Sequence, residues 1–114
     1  MPATPDAAEL TAEDAKLVTL ARSARARTGA AEGAALRDDI GRTYAASTVA
    51  LPSLRLSALQ AAVAAAVSSG SDRVEAVCVA GVAGRLADAD QTLMTDLGVE
   101  LVLLAGADGT VRRV

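Results

Sequence analysis

A chain of 114 residues is one domain by length and a small one, so its core cannot be generous. Its net charge is −3, it has no His, and Tyr44 is its single aromatic residue. An acidic chain without an aromatic platform is a poor nucleic-acid binder, and Arg112 and Arg113 are too few to change that. The single Cys excludes an internal disulfide, which fits a reducing cytoplasm. The core must be assembled from Ala, Val and Leu.

Residues 1–10 hold Pro2 and Pro5 without periodicity and read as a disordered tail. The tail is acidic and lacks the apolar run of a secretory signal. Residues 11–114 read as one domain. Thr11 followed by Asp14 is a helix start signal close to a capping box. That helix carries an apolar stripe of Leu17, Leu20, Ala21 and Ala24. Arg22, Arg25 and Arg27 turn to water, and Gly29 ends the helix. EGAALRDDIGRTYAASTVA reads as a hairpin with arms at 34–37 and 42–49. Asp38 and Asp39 are solvated turn formers, and Gly41 supplies the positive φ. Pro52 breaks the second arm and leads into the next helix.

LPSLRLSALQAAVAAAVSSG, at 51–70, has no charged side chain after Arg55. Its Ala and Leu content favours helix. Leu56, Leu59, Val63, Ala66 and Val67 share one face. The opposite face carries Ala58, Ala61 and Ala65 rather than charge. A helix that is apolar or small all round is buried, and this one is too short and Ala-rich to span a membrane. The pattern therefore predicts a central helix, closed by Gly70, with sheet on one side and another covering on the other. VEAVCVAGV, at 74–82, reads as a buried strand, with Cys78 as a small packed hydrophobe. The stretch 81–84 is a strand-to-helix loop that matches neither a P-loop nor a dinucleotide fingerprint. A third helix follows at 87–97, ended by Gly98, with Asp88 and Asp90 as N-terminal acids suited to capping and the helix dipole. VELVLLAG, at 99–106, is another buried strand, and Asp108-Gly109 turns the chain into a short edge strand. The order α-β-β-α-β-α-β-β predicts an α/β fold, a mixed sheet of about five strands with three helices packed on it.

These phrases resemble the cytidine deaminase family over about residues 12–110. GAALRDDIGRTYAASTV resembles the family's Gly-Ala-Ala-Leu hairpin with Tyr on the return strand. LSALQAAVAAAVSSG resembles its Cys-Ala-Glu-Arg helix, which ends Ala-Val-Ser-x-Gly. DQTLMTDL sits where the third helix carries Arg-Gln-x-Leu, and VLLAGADG resembles the next strand and turn. The resemblance implies a three-layer cytidine deaminase-like fold. It also implies that the chain stops where family members continue into a final helix. In the family, a zinc ion held by one His or Cys and two further Cys lowers the pKa of a bound water, and a Glu moves the protons. Carried over, Ser57 stands at the first ligand and Leu59 at the Glu. Leu86 and Ala89 stand at the two later Cys positions. Thr48 and Ala50 fall near the Asn and Glu that grip the ribose.

One argument is independent of that alignment. A chain with no His and one Cys cannot assemble a three-ligand site of nitrogen and sulfur donors for zinc. Leu59 has no proton to move. Ser57 either caps the start of its helix or lines a leftover pocket, and without His it is no Ser–His nucleophile. Arg55 is placed to face the same cleft and bind an anion. The expectation is a degenerate, zinc-free pseudoenzyme with no cofactor, acting in the cytoplasm as a homo-oligomeric interaction or structural protein. The resemblance, whose family members associate as dimers or tetramers, implies that a tetramer is favoured over a dimer, and no nucleic-acid or membrane partner is expected. The rival readings are a nucleoside- or base-binding protein that uses the vestigial cleft, and a divergent deaminase.

Overall fold

The computed structural model describes residues 10–81 and 84–114. The tail at 1–9 and the centre of the 81–84 loop lie outside the described residues. Helix α1 (Ala12–Thr28) precedes strands β1 (Glu32–Asp38) and β2 (Thr43–Ser47). A small hairpin follows, β3 (Val49–Leu51) and β4 (Leu54–Leu56), and then helix α2 (Ala58–Ser68). Strand β5 (Val74–Gly81), helix α3 (Asp88–Leu97) and strands β6 (Leu101–Gly106) and β7 (Val111–Arg113) complete the chain. The main sheet has the order β2-β1-β5-β6-β7 and is mixed, with β5 and β6 its parallel pair. Helix α3 makes the crossover that a parallel pair requires.

The three helices and the five-stranded mixed sheet agree with the sequence pattern. The β3–β4 hairpin is additional. Pro52 and Ser53 form a two-residue turn between Leu51 and Leu54, which pair directly. Pro52 therefore reverses the chain instead of leading straight into the helix. Its fixed φ suits a turn, and no ladder donor is lost there.

Helix ends follow local chemistry. Thr11 Oγ1 accepts from Asp14 N at 3.1 Å. Gly29 and Gly98 end α1 and α3 in the left-handed region, at φ 64° and 63°. Leu10, assigned above to the tail, is half-buried against the cluster around α1.

The sheet is covered on both faces, and alternation along each strand sorts the cover. Ala35, Ala76, Cys78, Ala80, Leu103 and Ala105 face α1, where they meet Leu17, Val18 and Ala21. Ala34, Leu36, Val77, Val79, Val102 and Leu104 face α2 and α3. The small residues beneath α1 let that helix lie close. A Cβ at Gly33 would overlap the Ala21 carbonyl oxygen and lie 2.7 Å from Arg25 N, both backbone atoms of α1. Of the three arginines expected in water, only Arg27 is exposed; Arg22 and Arg25 are half-buried.

Helix α2 is not buried all round. Ala58, Leu59, Ala62, Val63 and Ala66 are buried, while Ala64, Ala65 and Val67 are exposed. Helical spacing places the first five on one stripe. Ala58 belongs to it, and Val67 falls outside it at 55% exposure. Leu56 precedes the helix in β4. No helix among the described residues is long and apolar enough to cross a membrane.

Asp38 also departs from expectation. It is completely buried at the end of β1 rather than solvated. Its Oδ1 accepts from Ile40 N at 3.1 Å and Arg42 N at 2.8 Å. Its Oδ2 accepts from Arg42 Nε at 2.8 Å and Ser71 Oγ at 2.7 Å. One carboxylate thus closes the β1–β2 turn and ties it to the connection after α2. Burial alone would push this carboxyl up; the bonds from Ser71, Arg42 and Ile40 outweigh it and hold the pKa at about 2.

Two outcomes follow from this packing. Gly33→Ala is expected to cost about 3 kcal/mol, because the atoms it strikes are main chain and cannot swing aside; urea denaturation reads the loss. Asp38 ionises far more readily folded than unfolded, where a carboxyl titrates at about 4. Its stabilising contribution is therefore complete above about pH 4 and is lost as pH falls toward 2. Denaturation midpoints of the wild type should fall more steeply over that window than those of Asp38→Asn.

Candidate functional site

The sequence Ser-x-x-Gln at 57–60 is a helix start signal, and it forms a complete capping box. Ser57 Oγ accepts from Gln60 N at 3.0 Å, and Gln60 Oε1 accepts from Ser57 N at 2.8 Å. The Ser57 hydroxyl then donates to Asp90 Oδ1 at 2.6 Å. Asp90 stands in the first turn of α3 but does not cap it; the N-cap of α3 is Ala87, with no side-chain bond. Asp90 is 2% exposed and lies on the inward side of α3 with Met94. The bond therefore joins the first turns of α2 and α3.

A second polar knot lies alongside, where β2 ends and β1 begins. Thr48 Oγ1 accepts from Glu32 N at 3.1 Å and donates to Glu32 O at 3.3 Å. The Glu32 side chain is half-buried. Burial, and then the charge of Asp90, push its carboxyl up from the ordinary value. The β3–β4 hairpin forms the rim. Ala50 and Arg55 face each other across it, and both are exposed. Glu32, Thr48, Ala50, Arg55 and Ser57 line an open cleft of about 320 Å³.

Four of the residues singled out from sequence, Thr48, Ala50, Arg55 and Ser57, thus meet in one cleft. Three do not. Leu59 and Leu86 are packed in the apolar core beneath α2 and α3. Ala89 is exposed on α3. One polar member of the cleft, Glu32, was missed, and Asp90, read as a helix-capping acid, instead lies buried behind it and holds Ser57. Asp90 had a signal: it precedes Leu93, Met94 and Leu97 at helical spacing, which puts it on the buried stripe. Glu32 had none, because its position depends on pairing with Gly81 across the sheet.

The cleft offers two hydroxyls, one carboxyl group and one guanidinium. The Ser57 hydroxyl is engaged twice, giving its proton to Asp90 and accepting from Gln60, and no imidazole stands by to activate it. The donor set does not fit the zinc that the fold family implies. The chain has no His and a single Cys, so the cleft supplies neither an imidazole nor a pair of thiolates. The sole Cys, Cys78, lies on the α1 side of the sheet, where burial pushes its thiol up to about 12. Among the described residues, no three His, Cys, Asp or Glu side chains converge as a metal site.

Ser57→Ala should remove a helix cap and leave Asp90 buried without its donor. The expected loss is about 2–3 kcal/mol in urea denaturation. Asp90→Ala made in the same background should then cost less than it does alone, since the two groups form one unit.

A family model described as cytidine deaminase-like matches residues 10–109. Among solved structures, a cytidine deaminase from Burkholderia pseudomallei superposes with a TM-score of 0.78 at 24% identity, over 92% of each chain. A mutant cytidine deaminase from Mycobacterium tuberculosis gives a TM-score of 0.63 at 29% identity, covering 86% of this chain and 88% of that one. The cytidine deaminase from Mycobacterium leprae gives 0.62 at 21% identity, covering 84% and 91%. No curated protein sequence matches. Every element from α1 through β6 lies inside the matched span, and the chain belongs to the cytidine deaminase-like family.

Proposed function

We propose that this chain is a catalytically inactive member of its family, a pseudoenzyme that works as a homo-oligomeric interaction or structural protein in the cytoplasm. The observation that carries this reading is the Ser57–Asp90 hydrogen bond. It ties the first turns of α2 and α3 together, which is where the family resemblance puts the metal. That bond supplies the mechanical link and none of the chemistry. Leu59, at the position of the proton-moving Glu, is fully buried and has nothing to exchange. The composition adds to this, since a chain with one Cys and no His lacks the donors.

The apolar surface supports assembly with further copies of this chain. Ala64, Ala65 and Val67 are exposed on the outer side of α2, and Leu51 and Leu54 are about half exposed on the hairpin that precedes it. A protein with so few large side chains gains most by covering such surface. A closed symmetric assembly covers it on every copy. The family resemblance favours a tetramer over a dimer. A second reading rests on the cleft being open: Glu32, Thr48 and Arg55 are placed to hold a nucleoside or base without turning it over.

Metal analysis, cytidine turnover and light scattering on one purified sample test the proposal. The expected result is zinc far below one per chain, no turnover and a tetrameric mass. One tightly held zinc per chain or measurable turnover would overturn the inactive reading. A monomer at micromolar concentration would overturn the assembly. A thermal-shift panel of nucleosides and bases decides the second reading, which a flat response removes.

A further inference from the structure

We propose that the face of the sheet opposite the α2 cleft carries a binding site for an oxyanion-bearing small molecule, held by Arg22 and Arg25 over the ends of β5 and β6. The site stands whether or not the reading of the α2 cleft is right, because the sheet separates the two.

A cavity of about 490 Å³ opens between the last turns of α1 and the C-terminal ends of the two parallel strands. Its floor is Ala80 and Gly81 from β5 and Ala105 and Gly106 from β6. These residues pair across the strands, Ala80 with Ala105 and Gly81 with Gly106. Four side chains of one carbon or none leave the space that a larger floor would fill. The ends of adjacent parallel strands are where open α/β sheets take ligands.

Arg22 and Arg25, one helical turn apart on α1, form the wall. Arg22 Nη2 is shielded from solvent and has no hydrogen-bond partner among the described residues. A buried cationic donor without an acceptor is costly, and in native proteins such an orphan marks the place of a water or ion. Arg25 Nε donates to Ala31 O at 3.1 Å, which ties the second guanidinium to the connection between α1 and β1.

Nearby acceptors are partly engaged, and the Asp108 carboxylate interacts with Arg22 through its charge. The Ala26 and Arg25 carbonyls at the end of α1 accept from Gly29 N and Ala30 N. Asp108, in the β6–β7 turn, accepts through Oδ1 from Thr110 N at 3.1 Å and Thr110 Oγ1 at 2.7 Å. Asp108 Oδ1 is occupied by Thr110, and Arg22 Nη2 has no acceptor among the described residues. Guanidinium groups recognise the paired oxygens of phosphates and carboxylates. The volume lies within the range of small-molecule pockets, so an organic body has room on the Ala/Gly floor.

The test is an amide NMR titration of the full chain at constant ionic strength set with chloride. Inorganic phosphate, ribose 5-phosphate and acetate are the probes. Saturable shifts are expected at Gly29, Gly81, Gly106 and Gly109 and at the Arg22 Nε–H signal. Affinity should fall about tenfold or more in Arg22→Gln, and less in Arg22→Lys. Tighter binding of ribose 5-phosphate than of inorganic phosphate assigns the site to a phosphorylated metabolite, equal binding to the free ion, and stronger acetate binding to a carboxylate. Absence of saturation with all three probes overturns the proposal, as do equal shifts with chloride or unchanged affinity in Arg22→Gln. Should Arg22→Gln lose its dispersed spectrum, the Arg22 Nε–H signal of the wild type decides alone: silence there during the titration also overturns the site.

Discussion

The closeness of α1 to the sheet governs how this molecule is built. With one aromatic side chain in the whole protein, cover over the sheet must come from small and medium aliphatic groups, and these hold a helix only at short range. The strands answer with Ala35, Ala76, Ala80 and Ala105 on the α1 side. Gly33 gives way entirely, since any Cβ there would enter the backbone of α1. The other face carries Leu36, Val77, Val79 and Leu104 and accommodates two helices. The same economy leaves an opening where Ala and Gly line the strand ends and the long side chains of Arg22 and Arg25 reach across.

Polar side chains hold the connections that this thin core cannot. Asp38 fastens the β1–β2 turn to the segment after α2. Thr48 and Glu32 lock the end of β2 against the start of β1. Ser57 and Asp90 link the first turns of α2 and α3. Each tie spans elements distant in sequence and is buried or half-buried, so each is sheltered from competition with water. The third tie lies where the family resemblance puts a metal ion. On the proposed reading, a neutral hydroxyl and a carboxylate keep the two helix starts in register after the chemistry has gone. The cleft beside them is lined by Glu32, Thr48, Arg55 and Ser57.

Much of this was legible from residues alone. Thr11, Gly29 and Gly98 mark helix ends through local backbone chemistry, and they do so in the structure. The β-branched run read at 74–82 contains β5, Val74–Gly81, buried along its length apart from Glu75. The lack of His and of a second Cys bears on function without any coordinates. Thr48, Ala50 and Ser57, grouped by resemblance, and Arg55, placed beside Ser57 by its position in the chain, line one cleft. The β3–β4 hairpin was hidden because three-residue strands carry no periodicity, and Pro52 reads equally as a break or a turn. Asp38 and Asp90 were read as solvated or capping acids because an acid near a turn or a helix start is normally both.

Local pattern therefore determined which segments are helix or strand, where they stop, and which metal donors the chain lacks, since these depend on neighbours within a few residues. Tertiary structure alone decided which polar groups are buried, because burial depends on what arrives from elsewhere in the chain. Ser71 and Arg42 reach Asp38, Ser57 reaches Asp90, and nothing described here reaches Arg22 Nη2. It also decided that Val67 faces outward, since one sheet covers only one side of a helix.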